Sequence, residues 1–295
     1  MAGQVEPTPT NRAKMAEIRQ LQRMASGAPT RDDSLRKTKG LLALVIMDAF
    51  GYTWSLPQLI KRCGMKYFLT NKMSWNQYNR MPYDSFFWKG IDGSTVLTHQ
   101  LTSVSGKYGS YATTCNAELD PASLKGAWDH YLQKPINHEI LFTYGYGDGG
   151  GGPTTEMLET AERIHKLGTP VKLENGTIQE FFERMENQLK DEDTPVWNGE
   201  LYLELHRGTY TSKAAIKRGN RKGEVLIHDA EFLSALASLL TDQGYPREEL
   251  MQCWDILLVN QQHDILPGSI TSEPERDALK DYETLQAVGT RIITD

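Results

Sequence analysis

Asp48 stands directly after a continuous apolar run, Leu41 to Met47, and directly before Ala49-Phe50-Gly51. A carboxylate at the end of a strand buried on both faces, leading through a turn into a helix, lies on the sheet edge where catalytic groups of parallel α/β folds collect. There it can serve as a nucleophile, or it can cap the helix and bond loop amides. The residue pattern alone leaves both readings open. A second carboxylate, Asp148, follows another strand-like run, Glu139 to Tyr144, and precedes the glycines of Gly149 to Gly152. General acid chemistry fits an Asp so placed, because glycines let the backbone pass close to a bound molecule. The run lacks the Gly-Lys-Ser/Thr ending of a phosphate-cradling loop. His263 with Asp264, between two helix-like stretches, is the third candidate. A metal ligand and a half-buried His bonded to its neighbour are both open for it. Phe50, Lys72 and Asp264 have plain alternatives as core, surface charge and helix cap.

Positioning these groups requires strands alternating with helices. Leu56, Leu59 and Ile60 share a helix face, Gly64 stops that helix, and Lys66 to Leu69 reads as a second strand. A helix opened by Asp120 and Pro121 is predicted to run to about Lys134, and another from about Thr155 to Leu167, ending at Gly168. Val171 to Leu173 reads as a short strand. Thr177 and Glu180 have capping-box spacing before a helix whose Ile178, Phe181, Phe182 and Met185 share one face. The alternation predicts an α/β fold with a mostly parallel sheet. Beyond about Glu200 the period becomes helical, with one stripe at Leu226, Ala230, Leu233, Ala237 and Leu240 and another at Leu250, Cys253, Trp254, Leu257 and Leu258. Residues 1–40 read as a polar linker with a loosely attached helix marked by Met15, Ile18, Leu21 and Met24.

With 295 residues, 39% hydrophobic and 24% charged, the chain has enough core for an α/β domain plus a helical subdomain. No apolar run approaches the roughly 20 residues that span a bilayer, so a soluble protein without membrane partners is expected. A net charge of −6 argues against a nucleic-acid partner. The basic run Lys213, Lys217, Arg218, Arg221 and Lys222 reads as a solvated helix start or loop. Cys63, Cys115 and Cys253 are far apart and in no C-x-x-C spacing, which suits a reducing compartment and argues against a thiolate zinc knot. Neither a signal peptide nor, at Asn175, more than a turn is expected.

Four ordered stretches resemble glycoside hydrolase family 38, in its cytosolic and vacuolar α-mannosidase subgroup: Asp48 to Gln100, "GYGDGGGGPT", "GELYLELHRGTYTSKAAIKRGNRK" and "NQQHDILPGSI". The resemblance implies a retaining, zinc-dependent α-mannosidase acting on α-mannosyl oligosaccharides. Its fold would be an incomplete, barrel-like α/β glycosidase domain over residues 41–199, followed by a helical-bundle middle domain over residues 200–295. Carried across, it makes Asp48 nucleophile and zinc ligand, His263 a second zinc ligand, and Asp148 the general acid. Phe50, Lys72 and Asp264 become sugar-site residues. Gly149 departs from the paired Asp of other branches, which leaves the acid open. The family's upstream His-x-Asp ligand pair has no counterpart, since none of the seven histidines precedes an Asp by two positions. A fragment, an incomplete gene model or a degenerate paralogue is therefore expected. A catalytically inactive, at most weakly sugar-binding remnant is the alternative function. A cytoplasmic location is expected, with a vacuole or lysosome-like compartment as the alternative. Homo-oligomer formation and linkage preference are left open.

Overall fold

The structure is a computed structural model that describes residues 43–76, 78–104, 112–148, 151–167, 172–189 and 193–295. The predicted helix of residues 1–40, the stop at Gly168 and the start of the strand at Val171 lie outside them. Chain contacts divide the protein between Leu205 and His206 into two compact units.

The first unit is built on a mostly parallel sheet. Its strands are β1 (Ala43–Ile46), β2 (Tyr67–Thr70), β3 (Ser85–Lys89), β4 (Thr95–Gln100) and β5 (Val196–Asn198), in the order β1-β2-β4-β3-β5. Only β3 and β4 pair antiparallel. They form a hairpin whose turn is closed by the Gly90 N–H donating to Ser94 O (2.8 Å) and the Ser94 N–H donating to Asp92 Oδ1 (2.9 Å), with Gly93 at φ 86°. That positive φ suits a residue without a Cβ.

Strand residues alternate between two cores. Phe68, Phe86, Trp88 and Val96 join Ile60 of α1 (Leu56–Arg62) on one face. Tyr67, Leu69 and Leu97 meet the helix Ile178–Gln188, α4, on the other. Two further helices precede α4 in the chain, α2 (Pro121–His130) and α3 (Thr155–Lys166). The expected capping box of α4 forms, with the Thr177 side chain accepting from the Glu180 N–H. The expected face of α4 is the buried one, as Phe181, Phe182 and Met185 are all in the core. Tyr67 stacks on Phe182 at 4.7 Å.

Two expected elements differ. Glu139 to Tyr144 is not a sheet strand; it makes a single parallel bridge, Ala117 to Tyr144. Both flanks of β4 are taken, by β2 and β3, and the segment pairs with neither of the edge strands β1 and β5. It is held by side chains instead: Asn137 Nδ2 donates to the Glu139 carbonyl (2.7 Å), and Arg184 and Gln188 bind its carboxylate. Lys172 and Leu173 likewise belong to no strand. Helix α2 begins at the predicted Asp120 cap but ends at His130, short of Lys134. Asp84 and Gln133 cause this early end, because Asp84 Oδ2 accepts from the Leu132 N–H (2.8 Å) and Gln133 Oε1 accepts from the Asp84 and Ser85 N–H groups.

The second unit packs helices α5 (Ala214–Leu240), α6 (Arg247–Asn260) and α7 (Ser272–Thr294). The α6 stripe holds at Leu250, Cys253 and Leu257, which are buried. The expected α5 stripe holds only in its first part, where Ala230 is buried and Leu226 packs on the core. Leu233 and Leu240 are exposed, and the buried face is Ile216, Asn220, Gly223, Ile227, Ala230 and Ser234. Close helix approach decides this. A Cβ on Gly219 would lie 2.6 Å from the Tyr282 ring, so α7 packs where α5 is small rather than where it is most apolar.

Around the start of β3, two buried titratable groups oppose each other. His99 Nδ1 bonds Ser85 Oγ at 2.8 Å, and burial pushes the imidazole pKa down to about 3. Burial pushes the Asp84 carboxyl up to about 6, against the Leu132 N–H and nearby Arg80. A depressed His costs stability as pH falls below 6.5, whereas a raised Asp costs stability as pH rises through 3.8 toward 6. Between those values the two slopes, each about 1.4 kcal/mol per pH unit, cancel. Asp84→Asn, which keeps an acceptor for Leu132, should therefore gain roughly 2–3 kcal/mol near neutrality and expose the His99 slope in acid. Urea midpoints at about pH 7 and about pH 4.5 check this; an unchanged pH response in the variant would refute the pairing.

Candidate active site

Strand register places the first two candidate residues side by side. Ile46 of β1 is opposite Thr70 of β2 in a parallel pair, so the residues two beyond each, Asp48 and Lys72, leave the same sheet edge as neighbours. Lys72 opens a short 3-10 turn, Lys72–Trp75. Its Nζ lies 2.8 Å from Asp48 Oδ1, with the lysine side chain 13% exposed and the aspartate 37%. The same ammonium sits 4.2 Å from the Trp75 ring centroid and 5.7 Å from that of Phe50. The two rings meet edge to face at 6.0 Å. Trp75 is fixed by its indole N–H, which donates to the Thr113 carbonyl at 2.8 Å. The result is a half-exposed carboxylate backed by a cation inside an aromatic corner. Such a corner suits the apolar face of a sugar ring, with the carboxylate reaching one side of it.

The turn that carries Asp48 is tied down by Tyr52. Its hydroxyl lies 3.1 Å from the Ile46 carbonyl and 3.2 Å from that of Ala49, so its one O–H is shared between residues on either side of Asp48. Thr70 Oγ1 is 2.5 Å away. Burial, above all, holds this phenol above the usual tyrosine range. Tyr52 also exchanges two backbone bonds with Leu201. Gly51, at φ 108°, makes this approach possible, since a Cβ there would lie 3.1 Å from Leu201 O.

Asp148 is exposed on a loop in which Gly145, Gly147 and Gly151 have no room for a side chain. A Cβ on Gly145 would lie 2.6 Å from Pro153 N, on Gly147 2.7 Å from Asn116 Oδ1, and on Gly151 2.2 Å from Tyr146 O. The Tyr146 N–H closes the loop onto Gly152 O at 2.9 Å. Cys115 links this loop to the Asp48 corner. Its thiol is pushed up first by burial and then by the negative charge of Asp48, opposed by Lys72, with a further upward push from Asp148.

His263 and Asp264 belong to the helical unit, on the exposed turn after α6. Their side chains approach at 3.7 Å, and the Gln262 side-chain amide contacts both, at 3.3 Å from His263 Nδ1 and 3.2 Å from Asp264 Oδ2.

Comparisons with known proteins agree on one family. Residues 18–200 match the glycosyl hydrolases family 38 N-terminal domain, and residues 204–295 match the alpha mannosidase middle domain. The chain belongs to glycosyl hydrolase family 38. This family-38 chain is 38% identical to alpha-mannosidase 2C1 of Homo sapiens over 249 residues, which is 84% of the chain and 23% of that protein. It is also 38% identical to an alpha-mannosidase of Saccharomyces cerevisiae over 235 residues, 75% of the chain and 20% of that protein. It thus spans less than a quarter of the length of the curated relatives it matches. In fold it is similar to an alpha-mannosidase from Enterococcus faecalis V583, with a TM-score of 0.69 at 16% identity over 89% of the chain and 30% of that one.

The zinc that the family resemblance implies can be tested against the donors. Among the described residues there is no group of three or more His, Cys, Asp or Glu side chains able to hold a metal ion, whereas catalytic zinc takes about three protein donors or more. Asp48 is paired with an ammonium instead. The described residues of this family-38 chain do not by themselves fit a zinc site. Trp75 and Tyr52 are the site-forming residues that motif reading missed. Trp75 lies three positions after Lys72, a spacing that puts it beside the lysine on one turn.

Tyr52→Phe removes the hydroxyl that holds both flanks of Asp48 and leaves the Thr70 hydroxyl short of a partner. A loss of about 1–3 kcal/mol in unfolding free energy is expected from denaturant titration. An unchanged midpoint would mean that the turn holds without it.

Proposed function

We propose that this chain carries part of the machinery of a retaining α-mannosidase that releases terminal α-linked mannose from oligosaccharides. One observation carries the reading: Asp48 stands at the sheet edge beside Lys72 in the Phe50–Trp75 corner, in a chain of family 38. The alpha-mannosidase names of its relatives supply the substrate class. In this reading Asp48 attacks the anomeric carbon and the glycosidic C–O bond breaks. Asp148 gives its proton to the departing oxygen, then takes one from the water that opens the mannosyl ester and returns Asp48 as carboxylate. A retaining pair works at about 5–5.5 Å between carboxyl groups, and in this reading the loop brings Asp148 to that distance on substrate. Phe50 packs on the sugar, Lys72 orients Asp48, and Asp264 bonds sugar hydroxyls.

Zinc is the proposed cofactor, with Asp48 and His263 as two of its ligands and the remaining donors not among the described residues. It would supply charge and a template for sugar hydroxyls. The two units would be the α/β catalytic domain, in part, and the helical middle domain. Free cysteines at Cys63, Cys115 and Cys253 suit a cytoplasmic location. No helix of the described residues is long and apolar enough to cross a membrane.

The lack of a three-donor cluster among the described residues favours a second reading, a sugar-binding chain without turnover. Release of an aryl alcohol from aryl α-mannosides, with and without a chelator, separates the two. The 295-residue chain should turn over marginally and hold less than one zinc per molecule, since orientation alone is worth roughly 7–11 kcal/mol of barrier. Supplied with a His-x-Asp strand, it should become chelator-sensitive. In that protein Asp48→Asn should abolish turnover, and Asp148→Asn should spare substrates with good leaving groups. Equal losses on good and poor leaving groups would remove Asp148 from the acid role.

A further inference from the structure

The basic stretch at the start of α5 is not simply solvated. Lys213 pairs with Glu275 at the start of α7. Lys217 Nζ donates to three carbonyls, Ser212 (2.6 Å), Leu266 (3.0 Å) and Pro267 (3.1 Å). An ammonium has three N–H donors, so this one is fully spent on backbone. Desolvation lowers its pKa accordingly. One turn further along α5, Asn220 Oδ1 and Glu224 Oε1 accept from the Gln261 side-chain amide at 3.0 and 3.2 Å, while Asn220 Nδ2 donates to Glu224 Oε1 at 2.9 Å. Positions 217, 220 and 224 have the spacing of one helix face. They grip Gln261 at one end of the turn and Leu266-Pro267 at the other, with His263 and Asp264 between.

The approach leaves no slack. Gly268, at φ 84°, sits so close to the start of α5 that a Cβ would lie 2.9 Å from Ser212 O and 3.2 Å from Lys213 Cβ. Inside the turn, Gln262 Oε1 accepts from the Asp264 and Ile265 N–H groups, and the Asp264 carbonyl accepts from the Ser269 N–H. Two exposed functional side chains are thus mounted on a backbone fixed from beneath by another helix.

We propose that Lys217, Asn220 and Glu224 are positioning residues, a clamp from α5 that sets the direction in which His263 and Asp264 project. The proposal rests on the reading of those two residues as metal- and sugar-facing, and it gives the basic stretch a task that the chemistry alone does not.

Residue-resolved amide hydrogen exchange on the 295-residue chain tests the clamp without reference to sugars. The Ile265, Leu266, Gly268 and Ser269 N–H groups all donate within the turn. In Lys217→Met they should exchange about tenfold faster or more, while Leu257 of α6 and Leu285 of α7 keep their rates. Uniform acceleration through the bundle, or none, overturns the clamp. If that variant does not fold, Gln261→Ala cuts the other tether and is read in the same way. In a mannosidase carrying this segment, positioning predicts that Lys217→Met lowers kcat roughly 10–100-fold with KM moving less than about twofold. A loosened turn with unchanged kcat overturns the positioning role. If His263→Ala leaves turnover intact in the same assay, the metal-ligand reading of His263 fails while the exchange result stands.

Discussion

A lysine and an aspartate in water attract each other by about 1 kcal/mol or less, and such pairs rarely hold a fixed geometry. The Asp48–Lys72 pair differs because the ammonium is mostly removed from solvent and lies against the Trp75 ring. A ring face attracts a cation without competing for its N–H donors, so the indole takes up the desolvated charge and leaves a donor aimed at the carboxylate. Everything else in the α/β unit follows from keeping that arrangement in place. The ladder between β1 and β2 sets which residues become neighbours, and a slip of one residue would turn every side chain to the other face. Burial of β2 on both faces, with Tyr67 and Leu69 on one core and Phe68 on the other, makes such a slip expensive.

The strands alone do not fix the turn beyond them. Asp48 lies past the last ladder pair, in a segment that is neither strand nor helix. Tyr52 substitutes for the missing ladder by placing one phenol against two carbonyls of that turn and one side chain of the neighbouring strand. Leu201 then ties Tyr52 to the chain leading out of β5. Elements far apart in sequence thus converge on this turn, and the aspartate itself is left half exposed to meet a ligand.

The strand-end position of Asp48 was readable because a buried parallel strand announces itself as an unbroken apolar run. Helix starts were readable for a similar reason: Asp120, Thr154 and Thr177 satisfy orphan N–H groups by chemistry local to the chain. Most of the misses are cases in which a distant partner decides. Glu139 to Tyr144 has strand-like composition but is held by the Asn137, Arg184 and Gln188 side chains rather than by a ladder. The α5 stripe followed apolarity, whereas Gly219 and Gly223 admit Tyr282 and Leu285 by being small. The β3–β4 hairpin carried a local signal, Asp92-Gly93 between alternating hydrophobic runs, that helix-strand alternation drew attention away from. Trp75 and Tyr52 were hidden within a motif read for its charged residues. Their roles depend on Thr113 and Leu201, positions that no spacing rule connects to them.

Lys72 and Lys217 show one physical property used in two ways. Lysine carries a compact charge with three donors arranged around a single atom, whereas arginine spreads its charge over a plane. Lys217 directs all three donors at carbonyls that come from two separate segments, Ser212 and Leu266-Pro267, and this convergence suits a point better than a plane. Lys72 needs only one direction toward Asp48 and one flank against Trp75, a demand that a planar guanidinium stacked on the indole also meets. The position beside the carboxylate should therefore tolerate arginine, and the position beneath the His263 turn should not. The two lysines look alike in the sequence, and only the number of directions in which each must bond tells them apart.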